Sequence, residues 1–534
     1  MGFVPLTGIA DYGVMQETPA HKLPPEAWTR ALNVRFVDKR AQKMGGHGQV
    51  MGTPSVPPGF VMMVDNDGDV FWIYAQAGGS GSKVYVYNSG THNDISKVGG
   101  YDISLYRNWN GDVFNGIPVL NYGAGAPQFW PTPVVSDLLE DIPAWPASTT
   151  CKILKAFGNY LVALNVTDLS GAHPNMVKWS DGAGVGELPQ SWDPTNPAFD
   201  ADEVELGDIN SGAIQEGLAL RDFFCIFKDE STWIMRYIGG QRIHSIKPQM
   251  KSSGILAARC AQAISIGKSK LETAFIMTGE DLGTFDGQDF LSVVEDRDRK
   301  FLVGDIDPRN YKNSFVLDNR AQDEAWFCYP ENGETDPTMA CVWNYKENTI
   351  TFREFEGTSA ANGSVEGATL ETWATVTGTW STVSGAWQEA TRKKVVVSQP
   401  FTTKLLQLEL GDTFDGVSFN CVLERVGLAV TGVDRQGNPT VNYNSRKIIS
   451  RVWPQLRGGS LLVQLGGADT PNPEDVTWQD GVVYDPTAGV RFCDPAGDDD
   501  PANWVYNAIR FSSTADEPWF LDGYGIDVEE LSEL

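Results

Sequence analysis

The chain has 534 residues and a formal net charge of −28 at pH 7, with 69 Asp and Glu against 41 Lys and Arg. A nucleic-acid binder that grips phosphates needs clustered Lys and Arg, so this balance argues against such a protein. An apolar content of 41% is ample for a core and excludes a largely disordered chain. The acidity is explained either by solubility or by a surface that must not hold a polyanion.

The cysteines and the N-terminal residues bear on where the protein is made. Seven cysteines lie far apart without a Cys-x-x-Cys pair, which predicts reduced core cysteines in a protein made in a cytoplasm. Met1–Pro5 has no basic patch and no long apolar run follows it, so we expect no signal peptide. No segment reaches the roughly 18 apolar residues that a membrane-spanning helix needs.

Residues 1–50 are predicted to form an N-terminal arm with a first strand at Asn33–Val37. This region carries a basic run that stands out in an acidic chain: Arg30, Arg35, Lys39, Arg40 and Lys43, followed by His47. Such a run is typical of a solvated strand edge, which Lys commonly protects. It is equally typical of a contact with an acidic neighbouring subunit, so Arg30, Arg35, Lys39 and Arg40 are candidate subunit contacts.

Residues 51–356 carry hairpin patterns that recur every 45–60 residues or so, the length of one propeller blade. Clear examples are Val61–Val64 with Val70–Tyr74, Ile153–Phe157 with Tyr160–Asn165, and Leu218–Phe227 with Thr232–Tyr237. Glu272–Phe355 is the most regular stretch, and aromatic residues two apart, such as Phe327 and Tyr329, indicate half-buried strands there. The sequence predicts an all-β chain with a β-propeller of about five or six blades.

Residues 357–396 differ in composition and are predicted to be an inserted β-hairpin. Thr, Ser, Gly and Ala dominate them, and Trp373, Trp380 and Trp387 recur every seven residues. Trp at every seventh position is a spacing found in coiled coils, but the content of β-branched residues and Gly argues against a helix. These three Trp are further candidate subunit contacts. Residues 397–534, with eight predicted strands, are expected to form a second, β-sandwich-like domain.

Two carboxylate clusters could hold a cation, but each has a simpler explanation. Asp65–Asp69 resembles a calcium loop, yet residue 76 is Gln where that loop needs a bidentate carboxylate, so a hairpin turn is favoured. Asp494 with Asp498–Asp500 is typical of a solvated loop. We therefore predict no metal site and no cofactor.

Catalysis is not indicated by any motif. Carboxylates near the turns of the central stretch are Glu280, Asp281, Asp286, Asp289, Glu295 and Asp296. Glycosidases need two carboxyl groups at a defined separation, which a sequence cannot give. The five His lack metal-ligand spacing, and there is no Gly-x-Ser-x-Gly elbow or Walker loop. We predict that the chain is not an enzyme, and the alternative is a carbohydrate-binding or carbohydrate-cleaving propeller.

Several segments, in their order along the chain, resemble the tail nozzle or tail hub proteins of short-tailed bacteriophages, also called tail tubular protein B or packaged-DNA stabilisation proteins. The segments are Leu23–Arg35, Met176–Asp181, Ala274–Gly287, Glu324–Pro330, Cys341–Lys346 and Gly523–Glu529. The resemblance covers most of residues 20–355 and the last stretch, whereas the Trp-rich insertion matches no pattern of the family.

The resemblance implies a structural virion protein assembled in a host cytoplasm. It implies a hexameric ring of propeller-containing subunits below a portal and its head–tail adaptor. Such a ring extends the DNA-ejection conduit, retains packaged DNA and docks a tail fibre or tail needle. Double-stranded DNA would pass through its lumen without sequence-specific binding, and an acidic lumen would suit that passage because attraction to phosphates acts as friction.

Overall fold

The computed structural model describes residues 2–66, 69–131, 137–240, 242–267, 271–295, 297–365, 394–495 and 502–533. Over these residues the chain forms 44 β-strands and a single α-helix, which confirms the predicted all-β class. The strands belong to many small open sheets rather than to one continuous sheet.

Five short strands lie in the described part of the first 50 residues. They are β1 (Gly2–Leu6), β2 (Arg30–Leu32), β3 (Val34–Val37), β4 (Arg40–Lys43) and β5 (His47–Gln49). β1, β2, β4 and β5 each pair with a strand far along the chain, whereas β3 pairs with β4 in a hairpin.

Residues 58–292 form five four-stranded antiparallel sheets and a small two-stranded one. The strands of the first ones are β6 (Pro58–Asn66), β7 (Asp69–Gln76), β8 (Gly79–Ser82), β9 (Val84–Asn88), β10 (Thr91–Asp94), β11 (Tyr101–Ile103), β12 (Asn110–Phe114), β13 (Ile117–Asn121), β14 (Gln128–Phe129) and β15 (Glu140–Asp141). The next are β16 (Thr150–Phe157), β17 (Tyr160–Asp168), β18 (Gly171–Trp179), β19 (Asp202–Glu205), β20 (Ile214–Leu220), β21 (Phe223–Lys228), β22 (Thr232–Tyr237), β23 (His244–Met250), β24 (Ala261–Ile266), β25 (Leu271–Met277), β26 (Leu282–Phe285) and β27 (Phe290–Ser292).

Local turn chemistry explains why neighbouring strands pair. The predicted hairpin around Gly158 and Asn159 is confirmed, since Phe157 of β16 faces Tyr160 of β17. Gly158 has a φ of 56°, a left-handed conformation that glycine adopts without a steric penalty. Short turns of this kind make each sheet a meander of consecutive strands.

The remaining strands run from residue 315 to the C-terminus. They are β28 (Phe315–Asn319), β29 (Glu324–Tyr329), β30 (Met339–Asn344), β31 (Thr349–Glu354), β32 (Ser359–Gly363), β33 (Lys394–Gln399), β34 (Lys404–Leu408), β35 (Cys421–Leu428), β36 (Val430–Val433), β37 (Pro439–Val441), β38 (Ser445–Gly458), β39 (Leu461–Ala468), β40 (Thr477–Trp478), β41 (Val482–Tyr484), β42 (Ala502–Trp504), β43 (Tyr506–Ser513) and β44 (Trp519–Glu533). β32, β33 and β34 are joined by β5 from the N-terminal region to form another four-stranded sheet.

The first strands of seven four-stranded units contact one another in succession. Six of these units are separate sheets, and the seventh is the β28–β31 part of a larger sheet. Each strand in the series β6, β12, β16, β20, β24, β28 and β32 contacts the next, and β32 contacts β6. The succession of contacts is therefore cyclic.

Two large sheets dominate the rest of the molecule. One has the strand order β28-β29-β30-β31-β2-β35-β43-β39-β40, with β41 also paired to β39, and the other has the order β3-β4-β44-β38-β42, with β1 paired to β44. Leu32 of β2 faces Phe352 of β31 in parallel pairing and Val422 of β35 in antiparallel pairing. A three-residue strand from the N-terminal region thus joins the β28–β31 meander to the C-terminal strands.

The main hydrophobic core lies between these two large sheets. Leu6, Val528 and Trp519 of the six-stranded sheet belong to the same buried cluster as Leu423 and Phe511 of the ten-stranded one. The two sheets therefore pack face to face through their inner side chains. Smaller buried clusters fill the spaces between consecutive four-stranded sheets.

Several sequence-based boundaries are arranged differently in the structure. The stretch Glu272–Phe355, predicted to be one unit of sheet, is divided between the β24–β27 sheet and the β28–β31 meander. The predicted N-terminal arm, residues 1–50, is distributed over three sheets as β1 to β5. The ends of the predicted insertion, 357–396, form β32 and the start of β33, which pair with each other, and residues 366–393 lie outside the described residues.

Helical structure is confined to short segments in the part of the chain that the structure describes. α1 spans Arg299–Asp305, and single 3₁₀ turns occur at Ala20–Lys22, Tyr106–Asn108, Ile209–Ser211, Tyr311–Asn313, Arg320–Gln322, Pro473–Asp475 and Pro486–Ala488. None of the described helices is long and apolar enough to span a bilayer.

Candidate subunit interface

The basic run predicted as a subunit contact is split between the interior and the surface. Arg30 begins β2, Arg35 lies in β3, and Lys39 and Arg40 form the tip of the β3–β4 hairpin. Arg30 and Lys39 are exposed, Arg40 is half-buried and Arg35 is buried. The run is therefore not one continuous basic surface.

Arg35 belongs to a buried set of four charged residues, which we call the Arg35 cluster: Arg35, Glu324, Arg353 and Glu409. The Arg35 Nε donates to Glu324 Oε1 at 2.8 Å, and its Nη1 donates to Glu409 Oε2 at 2.7 Å. Arg353 Nη1 donates to the other oxygen of Glu409 at 3.0 Å. These bonds tie β3 to β29, to β31 and to the residue after β34, so the cluster fixes the N-terminal region in the body of the molecule.

The electrostatics of the Arg35 cluster are set by burial and by pairing. Burial acts to lower the pKa of Arg35, but Glu324 and Glu409 outweigh it, so the pKa is raised. For Glu409, burial acts to raise the pKa, and the two arginines bring it below its ordinary value. Burial keeps the pKa of Glu324 raised. Arg35 is therefore engaged by two carboxylates inside the chain, and a contact of Arg35 with a neighbouring subunit stays a prediction.

The other three basic candidates remain at or near the surface. Arg40 Nε lies 3.6 Å from Asp522 Oδ1, a carboxylate that also binds Arg457 at 2.8 Å. Arg30 and Lys39 make no hydrogen bond or ion pair with the described residues. A contact of Arg30, Lys39 or Arg40 with a neighbouring subunit stays a prediction. Trp373, Trp380 and Trp387 lie outside the described residues.

Arg30 lies at the floor of a groove that sequence reasoning missed. The groove has a volume of about 850 Å³ and lies where β2 crosses between the β28–β31 meander, α1 and the C-terminal strands. We call it the acidic groove because five carboxylates line it around the single cation Arg30: Glu17, Asp305, Glu331, Glu424 and Glu474. Phe301, Met339 and Phe352 give it an apolar wall.

The carboxylates of the acidic groove differ in how far the chain itself satisfies them. The Tyr329 hydroxyl donates to Asp305 Oδ2 at 2.9 Å, and Arg510 Nε donates to Glu424 Oε2 at 2.7 Å. Glu331 accepts one bond, from Thr338 Oγ1 at 3.1 Å. The carboxylate of Glu474 has no hydrogen-bond or ion-pair partner among the described residues.

Glu331 is the carboxylate of the acidic groove whose pKa is raised. Burial is the main cause, and repulsion from Asp305 adds to it, while the bond from Thr338 acts in the opposite direction. A cation brought into the groove would relieve that repulsion. The groove therefore favours a positively charged group with an apolar neighbour.

No local motif could have revealed the acidic groove. The groove carboxylates are far apart in sequence, and each lies in a turn or at the end of an element, where the sequence indicates only a solvated loop. They are Glu17, Asp305, Glu331 and Glu474. The one available signal is that Glu331 follows the buried strand β29.

Carboxylates predicted near the central turns serve local structure. Asp281 Oδ1 accepts a bond from Ser292 Oγ at 2.7 Å, and Asp286 Oδ1 accepts backbone N–H bonds from Gln288 at 2.8 Å and Asp289 at 2.9 Å. Asp286 thus holds its own turn together, and Asp281 ties the residue before β26 to the end of β27. Asp67, Asp296 and Asp498–Asp500 lie outside the described residues.

All seven cysteines are buried free thiols, as the sequence predicts for a reduced core. Burial raises the pKa of Cys260, of Cys421 and of Cys493 to about 12. Since the thiolate is the reactive and metal-binding form, these cysteines are held in an inert state. No group of three or more His, Cys, Asp or Glu among the described residues is placed to hold a metal ion.

Comparison with known proteins gives no family. No family model matches the chain, and no curated protein matches it. Among solved structures, a fungal alcohol oxidase of the AA5 family in complex with copper matches with a TM-score of 0.33 and 8% identity, over 92% of this chain and 99% of its own. A Saccharomyces cerevisiae Dbp5 variant bound to Nup159, a Gle1 variant, IP6 and ADP matches with a TM-score of 0.34 and 9% identity, over 69% of this chain and 95% of that one.

Proposed function

We propose that the chain is the tail nozzle of a short-tailed bacteriophage. It forms a hexameric ring that extends the DNA-ejection conduit below the portal and adaptor, retains packaged DNA and docks a tail fibre or needle. Its role is structural rather than enzymatic, and it acts in the virion tail after assembly in the host cytoplasm.

The body of each subunit is, in this proposal, a β-propeller of seven blades, one or two more than the sequence predicts. The cyclic succession of contacts from β6 to β32 and back to β6 supports that arrangement. β5, which precedes the first blade in sequence, completes the β32–β34 sheet, so segments from before and after the intervening blades share the last blade. The two large sheets, packed face to face, supply the sandwich-like platform.

The observation that carries the proposal is where the family-like segments meet. Leu23–Arg35 supplies β2, Glu324–Pro330 and Cys341–Lys346 supply most of β29 and β30, and Gly523–Glu529 lies in β44. Although they are hundreds of residues apart, these segments enter two sheets that share one hydrophobic core. Four of the six family-like segments therefore fall on the strands that join the parts of the fold, whereas Met176–Asp181 and Ala274–Gly287 lie in two of the four-stranded sheets.

The charge of the chain supports a conduit. With a net charge of −28, the subunit repels phosphates, so DNA can pass along it without being held. In the described residues, no observation favours the carbohydrate alternative, since Asp281 is bonded to Ser292 and Asp286 holds its own turn.

Native mass spectrometry of the purified full chain, alone and with its candidate adaptor, tests the proposal. We expect an assembly of six copies in at least one of the two samples. A monomer in both would contradict it, and a glycan array with a glycan-cleavage screen would then test the alternative.

A further inference from the structure

The acidic groove carries charge that the chain does not neutralise. Of its five carboxylates, Glu424 is paired with Arg510 at 2.7 Å, whereas Glu331 and Glu474 have no ion-pair partner among the described residues. The groove also presents Phe301, an exposed aromatic residue, at 42% exposure. Its surface therefore complements a segment that combines cations with apolar or aromatic side chains.

The chain carries such a segment on another sheet. At one end of the β22–β23 hairpin, four exposed residues combine two guanidinium groups with two large apolar side chains, and we call them the basic hairpin: Arg236, Tyr237, Ile238 and Arg242. Tyr237 is 59% exposed and Ile238 is 57% exposed, and the two are adjacent in the chain.

The two arginines of the basic hairpin are available for a partner. Arg236 lies over the Phe223 ring at 5.4 Å, and neither Arg236 nor Arg242 forms an ion pair with a described residue. The neighbouring acid Asp200 already accepts a hydrogen bond from Tyr160 at 3.1 Å. Arg and Tyr are enriched in the residues that dominate binding energy at interfaces.

We propose that the basic hairpin of one copy docks into the acidic groove of a second copy. Arg236 and Arg242 approach Glu331 and Glu474, while Tyr237 and Ile238 pack on the apolar wall formed by Phe301 and Met339. A groove volume of about 850 Å³ accommodates these side chains. The repulsion between Glu331 and Asp305 is relieved when a guanidinium enters.

The contact is heterologous, because the two surfaces belong to different parts of the chain. Such head-to-tail contacts generate rings when the rotation closes. In the proposed ring, this docking contact is the interface between neighbouring subunits. It depends on the proposed function only for the closure of the ring at six copies.

Charge-reversal variants of the full chain test the contact by sedimentation velocity and mass photometry. The hairpin variant is Arg236→Glu with Arg242→Glu, and the groove variant is Glu331→Lys with Glu474→Lys. Two controls carry the same charge changes at exposed positions elsewhere: Lys152→Glu with Lys312→Glu, and Glu140→Lys with Glu280→Lys. The glutamine versions of the hairpin and groove variants serve if a reversed variant does not fold.

We expect each reversed variant alone to be monomeric at concentrations where the wild type and both controls assemble, with self-association weakened roughly tenfold or more. Mixing the two reversed variants must restore assembly. The intact hairpin of the groove variant still fits the intact groove of the hairpin variant, and in the reverse contact the new Glu side chains face the new Lys side chains, so the charges are again opposite.

The outcomes separate the docking contact from the proposed function. If the reversed variants assemble as the controls do, the docking contact is overturned and the ring stands. If the mixture stays monomeric, the pairing of these two surfaces is overturned. If the wild type is monomeric at every concentration, alone and with the adaptor, both proposals fall.

Discussion

Arg35 decides how the N-terminal region is held, and its energetic role follows from its burial. It is 3% exposed and is paired with Glu324, whose side chain is fully buried, and with Glu409, whose side chain is 13% exposed. A buried ion pair contributes little by itself, yet removing one partner leaves uncompensated charge in the interior. The same residue would be dispensable if it lay on a solvated strand edge.

We expect Arg35→Ala to lower the free energy of unfolding by about 3–5 kcal/mol, because the buried Glu324 loses its ion-pair partner, while Glu409 keeps Arg353. Lys39→Ala, at an exposed position of the neighbouring hairpin, is the control and should stay within about 0.5 kcal/mol. Denaturant unfolding measures both. Equal effects of the two substitutions would show that Arg35 is not engaged as described.

A second residue-scale prediction concerns Asp298, which precedes α1 and is fully buried. Burial is the main cause that raises its pKa to about 8, although its Oδ1 accepts the Gln16 backbone N–H at 3.2 Å. The folded state therefore retains a proton that the unfolded chain releases at a pH of roughly 4. Stability contributed by the protonated form is complete below that pH and is lost as the pH rises towards 8.

Asp298→Asn removes this titration. Relative to the variant, the wild type should lose up to about 1.4 kcal/mol of unfolding free energy for each pH unit between pH 5 and pH 7. Urea unfolding at pH 5, 6, 7 and 8 gives the two slopes. Parallel slopes for wild type and variant would mean that Asp298 is already ionised in the folded protein.

At the scale of elements, β5 is the strand on which the last four-stranded sheet depends. Leu408 of β34 faces His47 of β5, and the turn before β5 brings Gly46 against the backbone at Thr413. A Cβ on Gly46 would lie 2.0 Å from the Thr413 carbonyl oxygen, so the two segments would have to separate.

We expect Gly46→Ala to destabilise the protein by at least about 1–3 kcal/mol, the usual cost of overpacking. Gly279→Ala is the matched control, because nothing lies within 4 Å of a Cβ added there. Thermal unfolding followed by circular dichroism compares them. An unchanged Tm for Gly46→Ala would argue against the pairing of β5 with β34.

The strands that could be located from the sequence are those whose ends and faces are determined by nearby residues. The turn residues and the alternating aromatics predict strands at Ala325–Tyr329 and Met339–Tyr345, each within one residue of the observed bounds of β29 and β30. In contrast, β2 has only three residues and no periodicity, and it exists because Phe352 and Val422 lie on either side of it. Pairings between residues so far apart are decided by tertiary packing, which local propensity does not encode.

The candidate interface was harder to predict from the sequence, because it also depends on packing between residues that are far apart in the chain. The basic run is visible in the sequence, but which of its members is buried depends on Glu324 and Glu409. The acidic groove has no sequence signal, because its carboxylates converge only after the two large sheets form.

For the whole molecule, charge governs how the protein meets DNA. A net charge of −28 opposes the counterion release that drives non-specific binding to a duplex. We expect no binding of double-stranded DNA to the wild type in an anisotropy titration at low salt, up to roughly 10⁻⁴ M protein. Binding that weakens steeply with added salt would contradict a lumen that lets DNA pass freely.

The most direct test of the central claim, a ring-forming conduit, is negative-stain electron microscopy of the purified full chain, alone and mixed with its candidate adaptor. The account predicts six-fold rings with an axial channel in the class averages. Isolated monomers in both samples would contradict it.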